Sequence, residues 1–275
     1  MADTKLVKGG ATGIAAIIGE MSLTERPDFI PAGDKTGTEG ITSEDIRLPR
    51  LGIAQGLSPQ IMPGDGSYIE DLKLFDMFND STNEVYGKGP LYFVPVRRDV
   101  KCIEFRPRTE GGGVVDLNVP RNDPRATQWR EVNGKRLPPA ATTFDEFIAL
   151  LIKTGGETDP IVISIKHTNK WNRRAASDLN GFIKMHASQG VKSVPIYGVV
   201  YSIESKSEKN DSGTFGVPVF RQVGYIPKNM PELFERAKNY AASLEGKTVI
   251  VSREPGDEDS FDGPTLDAEV VKEEM

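Results

Sequence analysis

Positively charged and aromatic residues recur together in four short clusters of this sequence. Cations spaced along a groove can neutralise phosphates, and aromatic faces can stack on bases, which contributes roughly 1 to 3 kcal/mol per base. The pattern therefore predicts a surface that follows a single nucleic-acid strand, with candidate DNA-binding residues in the first three clusters. These candidates are Arg97, Arg98, Lys101, Phe105 and Arg106; Trp129 and Arg130; and Lys166, Lys170, Trp171, Arg173 and Arg174. The fourth cluster is Phe220, Arg221 and Tyr225.

Each aromatic candidate also has a structural interpretation. Trp171 begins the apolar face of a predicted helix, so it could pack in the core or stack on a base. Phe105 lies near Ile103 in a predicted strand, so core packing and base stacking are both open for it. Trp129 lies in a basic, proline-rich segment and is expected to be exposed. The prediction depends on the recurrence of the clusters and not on any one of them.

The sequence offers little that could support catalysis. It has two histidines, His167 and His186, which are far apart in the chain, and one cysteine, Cys102. The zinc-protease, serine-hydrolase, P-loop and dinucleotide-binding motifs are absent from the sequence. A single cysteine excludes an intramolecular disulfide and a cysteine-based zinc site. We therefore expect a non-catalytic protein without a metal or another cofactor.

Negative charge is concentrated at the C-terminus. The whole chain has a formal net charge of −6, whereas residues 254–275 contain nine acidic residues and one lysine, a net of −8. The difference leaves residues 1–253 with +2. Such an acidic segment buries too little apolar surface to order itself, which predicts a disordered tail over residues 253–275. The tail could compete with a polyanion for the body, recruit replication proteins, or merely keep the protein in solution.

Hydrophobic periodicity divides the rest of the chain into strands and helices. Residues 90–98 and 101–108 are predicted to pair as a hairpin, with Arg97 and Arg98 at its tip. Residues 111–141 are predicted to form a long loop with a short strand near Val114. The apolar residues of 142–152 fit the spacing of a helix as well as that of a strand. The turn and the β-rich run that follow favour a strand. The remaining predictions are a helix over 171–188, a hairpin of 193–205 with 214–226, a helix over 230–246 and a strand over 247–252.

This order of elements predicts a β-rich α+β protein with an OB-fold-like antiparallel barrel, one or two packed helices and flexible termini. A helix follows the third or fourth strand, as in the five-stranded Greek-key barrel of that fold. The predicted organisation is a flexible N-terminal arm (1–45), an OB-like nucleic-acid-binding domain (46–252) and the acidic tail (253–275).

Composition places the chain among globular proteins of a reducing compartment. Hydrophobic residues make up 37% and charged residues 27% of its 275 residues. No apolar run approaches the roughly 20 residues that cross a bilayer. We expect a cytoplasmic protein without a membrane partner, in the host cytoplasm if a phage encodes it.

Four segments resemble a family of bacteriophage proteins that accompany replication genes and are regarded as single-stranded DNA-binding proteins with an OB-type core. The segments are "DIRLPRLGIAQGLSPQI" (45–61), "YGKGPLYFVPV" (86–96), "PIVISIKHTNKWNRRAASDLNGFI" (160–183) and "SGTFGVPVFRQVG" (212–224). The resemblance implies binding of displaced single strands during phage replication or recombination.

Two functions of different classes follow. The first is sequence-independent binding of single-stranded DNA, with the acidic tail competing for the basic groove and a homo-oligomer possible. The second is a phage structural or scaffold interaction protein without nucleic-acid binding, in which the basic clusters are only solvated surface.

Overall fold

A computed structural model describes residues 48–106, 112–132, 134–188, 193–210 and 213–246, all of which belong to the unit Ser43–Met275. The first strands are β1 (Leu51–Ile53), β2 (Met77–Asn79), β3 (Val85–Gly87), β4 (Leu91–Phe105) and β5 (Val114–Val119). The later strands are β6 (Arg130–Val132), β7 (Lys135–Leu137), β8 (Ala141–Ile152), β9 (Thr158–Lys166), β10 (Val199–Asn210) and β11 (Gly213–Tyr225). The α-helices are α1 (Pro124–Thr127), α2 (Lys170–Ala187) and α3 (Pro231–Ser243), and short 3-10 turns lie at Pro59–Ile61 and Ile196–Gly198.

The main sheet is antiparallel and has the strand order β11-β10-β4-β8-β9, with β5 paired to the second half of β4. Strands β4, β8 and β9 lie side by side in chain order, with β5 to β7 in the connection between β4 and β8, and β10 returns to lie beside β4. That arrangement is a Greek key. The β-rich α+β class predicted from the sequence is confirmed.

Strand β4 corrects one prediction, because residues 91–105 form one strand of 15 residues and not two strands of a hairpin. Arg97 and Arg98 therefore lie within a strand and not at a tip. The register of β4 on β8 shifts between Pro95 and Arg97, and pairing then continues to Glu104. The polar run after Val96 looked like a turn in the sequence. It is compatible with a strand because β8 presents the acidic residues Asp145 and Glu146 opposite it.

Over the described residues the sheet is open and does not close into a barrel, so the OB-fold-like part of the prediction is not confirmed. Strands β9 and β11 are its two edges, and within the described ranges they do not pair with each other. Residues 49–55 lie between these edges. The backbone nitrogen of Val162 donates to Pro49 O at 2.8 Å, and the Gln55 side chain forms two hydrogen bonds with Gly216, at 2.9 and 3.0 Å.

A hydrophobic cluster lies on each face of the sheet. Alternating residues of β8 and β9, such as Phe147 and Ile163, pack with Leu179 of α2 on one face. Their neighbours Ile148 and Val162 pack with Leu233 of α3 on the other face. Burial on both faces explains why β8 reads as a continuous apolar run and was ambiguous between helix and strand.

The remaining element predictions are mostly confirmed. Residues 142–152 form a strand, residues 170–187 and 231–243 form helices, and β10 and β11 form the second hairpin. The predicted loop over residues 111–141 contains β5 as expected, and also α1 and the small hairpin β6–β7. The predicted strand over 247–252, the arm (1–45) and the tail (253–275) lie outside the described residues.

Candidate nucleic-acid interface

Two buried carboxylates on β8 hold several of the predicted DNA-binding cations. Asp145 is 1% exposed and forms an ion pair with Arg98. The carboxylate also accepts hydrogen bonds from His167 Nε2 at 2.9 Å and from Asn180 Nδ2 of α2 at 3.1 Å. One carboxylate thus connects β4, the end of β9 and α2. Its role is to fix the position of the segment that enters the helix.

The environment keeps Asp145 ionised. Burial alone would raise the pKa of its carboxyl group, but the hydrogen bond from His167 and the positive charge of Arg98 outweigh burial and hold the pKa below its ordinary value. The buried negative charge is therefore compensated within the protein, and Arg98 is engaged although its side chain is 37% exposed.

The adjacent carboxylate, Glu146, pairs with a cation of β4 on the opposite face of β8. It is 2% exposed and lies 2.9 Å from Lys101 Nζ. Lys166 is also buried, at 8% exposure, and its Nζ lies 5.9 Å from the centre of the Phe105 ring. The Phe105 ring in turn makes an edge contact with buried Phe144. The predicted site residues Lys101, Phe105 and Lys166 therefore lie close together. Their side chains mostly contact other protein groups and not solvent.

Arg97 lies apart from this group. Its Nε donates to Asp99 at 2.9 Å, and its Nη1 donates to the carbonyl oxygen of Leu244, just after α3, at 2.9 Å. It therefore braces β4 against the end of α3.

The start of α2 presents cations to solvent. Asn169 caps this helix, since its side chain accepts a hydrogen bond from Asn172 N at 2.8 Å. Lys170, Arg173 and Arg174 are exposed, and the pair of Arg174 with Asp178 is long, at 3.8 Å. Exposed cations on the first turns of an 18-residue helix are well placed for anions, because the N-terminus of the helix dipole is also positive.

Trp171 packs on the core, as one of its two interpretations predicted, and base stacking on it stays a prediction. Its ring packs edge-on against buried Phe215 of β11, with 5.0 Å between ring centres. The residue is nevertheless only partly buried, and Lys170 Nζ lies 4.5 Å from its ring centre. The ring is thus held in place on one side by β11 while part of its surface remains accessible.

The connection from β4 to β8 carries the remaining candidates. Trp129 is 52% exposed, as predicted, and Arg136 Cζ lies 4.9 Å from its ring centre. Arg130 Nε donates to Pro138 O at 3.0 Å across the base of the β6–β7 hairpin. Arg106 is exposed where β4 ends. These residues form a group on the connection, distinct from the start of α2.

Sequence reasoning missed the residues that hold the predicted cations in place. Asp145, Glu146 and Asn180 were not considered, and His167 was considered only as a possible catalytic group. The signal that could have identified them is the pair of acidic residues inside the apolar run "FDEFIALLI". Buried carboxylates are almost always paired, so their presence predicts partner cations nearby.

Metal-binding clusters and membrane-spanning helices are both absent from the described ranges. Over these residues no group of histidine, cysteine and acidic side chains could hold a metal ion. In the same part of the chain, none of the helices has the length and apolar character needed to cross a membrane.

Comparison with known proteins identifies a family. No curated protein and no solved structure matches the chain significantly. A family model described as Pam3 phage gp34-like protein matches residues 19–250, which is most of the chain. The chain therefore belongs to the Pam3 phage gp34-like family of bacteriophage proteins.

Proposed function

We propose that this protein binds single-stranded DNA without sequence preference during phage DNA replication or recombination, and that it is not an enzyme. The observation that carries this function is the start of α2, where Lys170, Arg173 and Arg174 are exposed beside a partly accessible Trp171. Cations and an aromatic face on one rigid element are what binding of a flexible strand requires.

The topology of the sheet supports an OB-related nucleic-acid binder. Strands β4, β8, β9, β10 and β11 make a five-stranded Greek key, and α2 lies between the third and fourth of them in the chain. In OB-folds the connection between the first two strands contributes to oligonucleotide binding. The corresponding connection here contains exposed Arg106, Arg130 and Trp129.

The predicted residues would have two roles in this site. Lys170, Trp171, Arg173 and Arg174, with Arg106, Trp129 and Arg130, would contact DNA directly. Arg97, Arg98, Lys101, Phe105 and Lys166 would mainly position the backbone, because each already contacts another protein group. The acidic tail would compete with DNA for the exposed cations and offer a contact for replication proteins in the host cytoplasm.

The test is fluorescence anisotropy of a labelled poly-dT oligonucleotide of about 30 nucleotides across a salt series. We expect salt-sensitive binding by the full chain and tighter binding by a 1–252 truncation. The triple variant Lys170→Glu, Arg173→Glu, Arg174→Glu should bind at least about tenfold more weakly. Its log affinity against log salt should lose about 2 in slope, since each single-strand phosphate contact contributes roughly 0.7.

A matched triple variant controls for net charge. Lys73, Lys228 and Lys238 are exposed and lie outside the start of α2, so Lys73→Glu, Lys228→Glu, Lys238→Glu should bind nearly as tightly as the unaltered protein. An equal loss in both variants, or equal affinity for duplex and single-stranded DNA, would contradict the assignment of this site.

One observation favours the alternative of a structural or scaffold protein. Residues 56–85 expose several large apolar side chains that could contact another protein, namely Leu57, Met62, Tyr68 and Leu74. If this is the main function, light scattering should detect large particles without nucleic acid, and the oligonucleotide should not bind at low salt.

A further inference from the structure

An acidic groove with aromatic walls lies at the end of the sheet where β4 begins and β8 ends. Its volume is about 530 Å³, and Tyr86, Leu91, Tyr92 and Ile152 provide apolar and aromatic surface. Tyr92 is 43% exposed. Glu84 and Glu157 also line the groove, and both are exposed. An exposed tyrosine beside carboxylates favours a cationic and aromatic occupant.

Among the described residues that line this groove, the cation is Lys153, and it is already neutralised. Lys153 Nζ lies 3.1 Å from Glu84 and 2.6 Å from Asp159. The adjoining residues 56–83 add to the negative charge, with five acidic residues and a single lysine. Phosphate groups would be repelled here, so the groove is separate from the candidate DNA site.

The β6–β7 hairpin has the complementary chemistry. Residues 128–138 contain three basic residues and one acidic residue, and Trp129 stands 52% exposed at the start of the hairpin. Arg136 lies over the Trp129 ring. Tryptophan and arginine are among the residues most enriched at the energetic centre of protein interfaces.

The hairpin cannot reach the groove of its own chain. It is attached where β4 ends and β8 begins, because Ala126 of α1 packs on Cys102, Val119 and Ala141. The groove lies at the opposite end of the same two strands, where Tyr92 pairs with Ile152. At about 3.3 Å per residue, the 12 residues of β8 separate the two by roughly 40 Å. A contact between them must therefore join two molecules.

We propose that the β6–β7 hairpin of one copy docks in the Glu84–Glu157 groove of a second copy. Trp129 would lie against Tyr92 and Leu91, and Arg130 and Arg136 would face the two carboxylates. The two surfaces differ, so the contact is head-to-tail and each dimer retains one free hairpin and one free groove. Such contacts form open chains unless the geometry closes them into a ring.

Bound DNA should weaken this contact between copies, an expectation that rests on the proposed function. Trp129 and Arg130 are candidate DNA-binding residues, so a hairpin that holds DNA is not available to the groove of a neighbour. The acidic groove would then act as a competitor for the hairpin in the DNA-free protein.

Sedimentation velocity of the full chain without DNA tests the contact. In about 50 mM salt, the weight-average sedimentation coefficient should rise with protein concentration, and about 300 mM salt should return it toward the monomer value. The hairpin variant Arg130→Glu, Arg136→Glu and the groove variant Glu84→Lys, Glu157→Lys should each weaken association by about tenfold or more. Controls with equal charge changes elsewhere, Lys228→Glu, Lys238→Glu and Glu232→Lys, Glu235→Lys, should associate like the unaltered protein.

Mixing the hairpin variant with the groove variant gives the decisive result. The reversed hairpin of the first fits the reversed groove of the second, and the unaltered hairpin and groove also fit each other. Association should therefore return in the mixture although neither variant associates alone. A monomeric unaltered protein, undiminished association of the groove variant, or failure of the mixture to recover would overturn head-to-tail docking.

Adding poly-dT to the assemblies tests the docking contact and the proposed DNA-binding function separately. Dispersal of the assemblies would support competition for the hairpin. If the DNA-free association behaves as expected but DNA neither binds nor disperses it, the docking stands and the DNA-binding function fails. If DNA binds and no DNA-free association occurs, the docking fails and the function stands.

Discussion

Lys166 and Lys170 are only four residues apart, yet they belong to two different groups of cations. The first group contacts other protein groups, and the second is exposed to solvent. Lys166 is buried against Phe105, and Lys101 and Arg98 contact the buried carboxylates of β8. Lys170, Arg173 and Arg174 are exposed on the first turns of α2. The difference teaches that residue type alone does not identify binding cations. The buried acidic residues decide which cations position the backbone and which face solvent.

Removing a buried carboxylate should give the largest effect and sharpen this comparison. Asp145→Ala leaves Arg98, His167 and Asn180 without their shared acceptor, and we expect the free energy of unfolding to fall by about 3 kcal/mol. This is the lower end of the range for breaking buried pairs, because Arg98 is partly exposed. Asp178→Ala, which removes the exposed partner of Arg174, should change the free energy of unfolding by less than about 0.5 kcal/mol. Urea denaturation measures both, and similar losses would refute the distinction.

Substitutions of the two tryptophans provide a second comparison, with an expected effect of intermediate size. Trp171→Ala and Trp129→Ala should each weaken single-strand binding by roughly 1 to 3 kcal/mol if a base stacks on each ring. Only Trp171→Ala should also lower the melting temperature, because the Trp171 ring packs on buried Phe215. Anisotropy and thermal melting of the same two variants separate these effects. A fall in melting temperature for Trp129→Ala as large as that for Trp171→Ala would contradict the exposed placement of Trp129.

The smallest expected effect is in the pH dependence of stability. The pKa of Asp145 in the folded protein lies below its ordinary value of 3.8. The unfolded chain therefore binds the proton more readily than the folded one, and the stabilisation by Asp145 is present above that value and is lost as the pH falls through the folded pKa. The difference in unfolding free energy between the unaltered protein and Asp145→Ala should narrow below about pH 3.8. If this difference in unfolding free energy widened as the pH falls, a group other than Asp145 would dominate the acid dependence of stability.

The fold was predictable from sequence wherever the pattern is local. The α2 helix and the β10–β11 hairpin each have a periodic pattern within one short segment, and both were predicted. The continuity of β4 was not predictable, because the run of charged residues after Val96 looks like a turn until its partners on β8 are known. The open edge between β9 and β11 was also missed, because pairing between distant strands leaves no local signal.

The candidate site was predictable in its residue types but not in its division of roles. The exposure of Trp129 was predicted and is confirmed, and Lys170 and Arg173 are exposed too. The sequence could not show that Arg97 contacts the carbonyl of Leu244, 147 residues away. It also gave no reason to connect Arg98 with Asp145, 47 residues away. Such contacts depend on which strands become neighbours.

The Gln55–Gly216 contact has a consequence for how the protein is made. Its two hydrogen bonds join residues 161 positions apart, and a Cβ on Gly216 would lie only 2.7 Å from Ile53 Cγ2. On a ribosome that adds about 5 to 20 residues per second, Gln55 emerges roughly 10 to 30 s before its partner is synthesised. Contacts of such long range slow folding. Until β11 has been synthesised, the edge of β10 with which it pairs is open to pairing with other chains, so a nascent molecule is prone to aggregate at that edge.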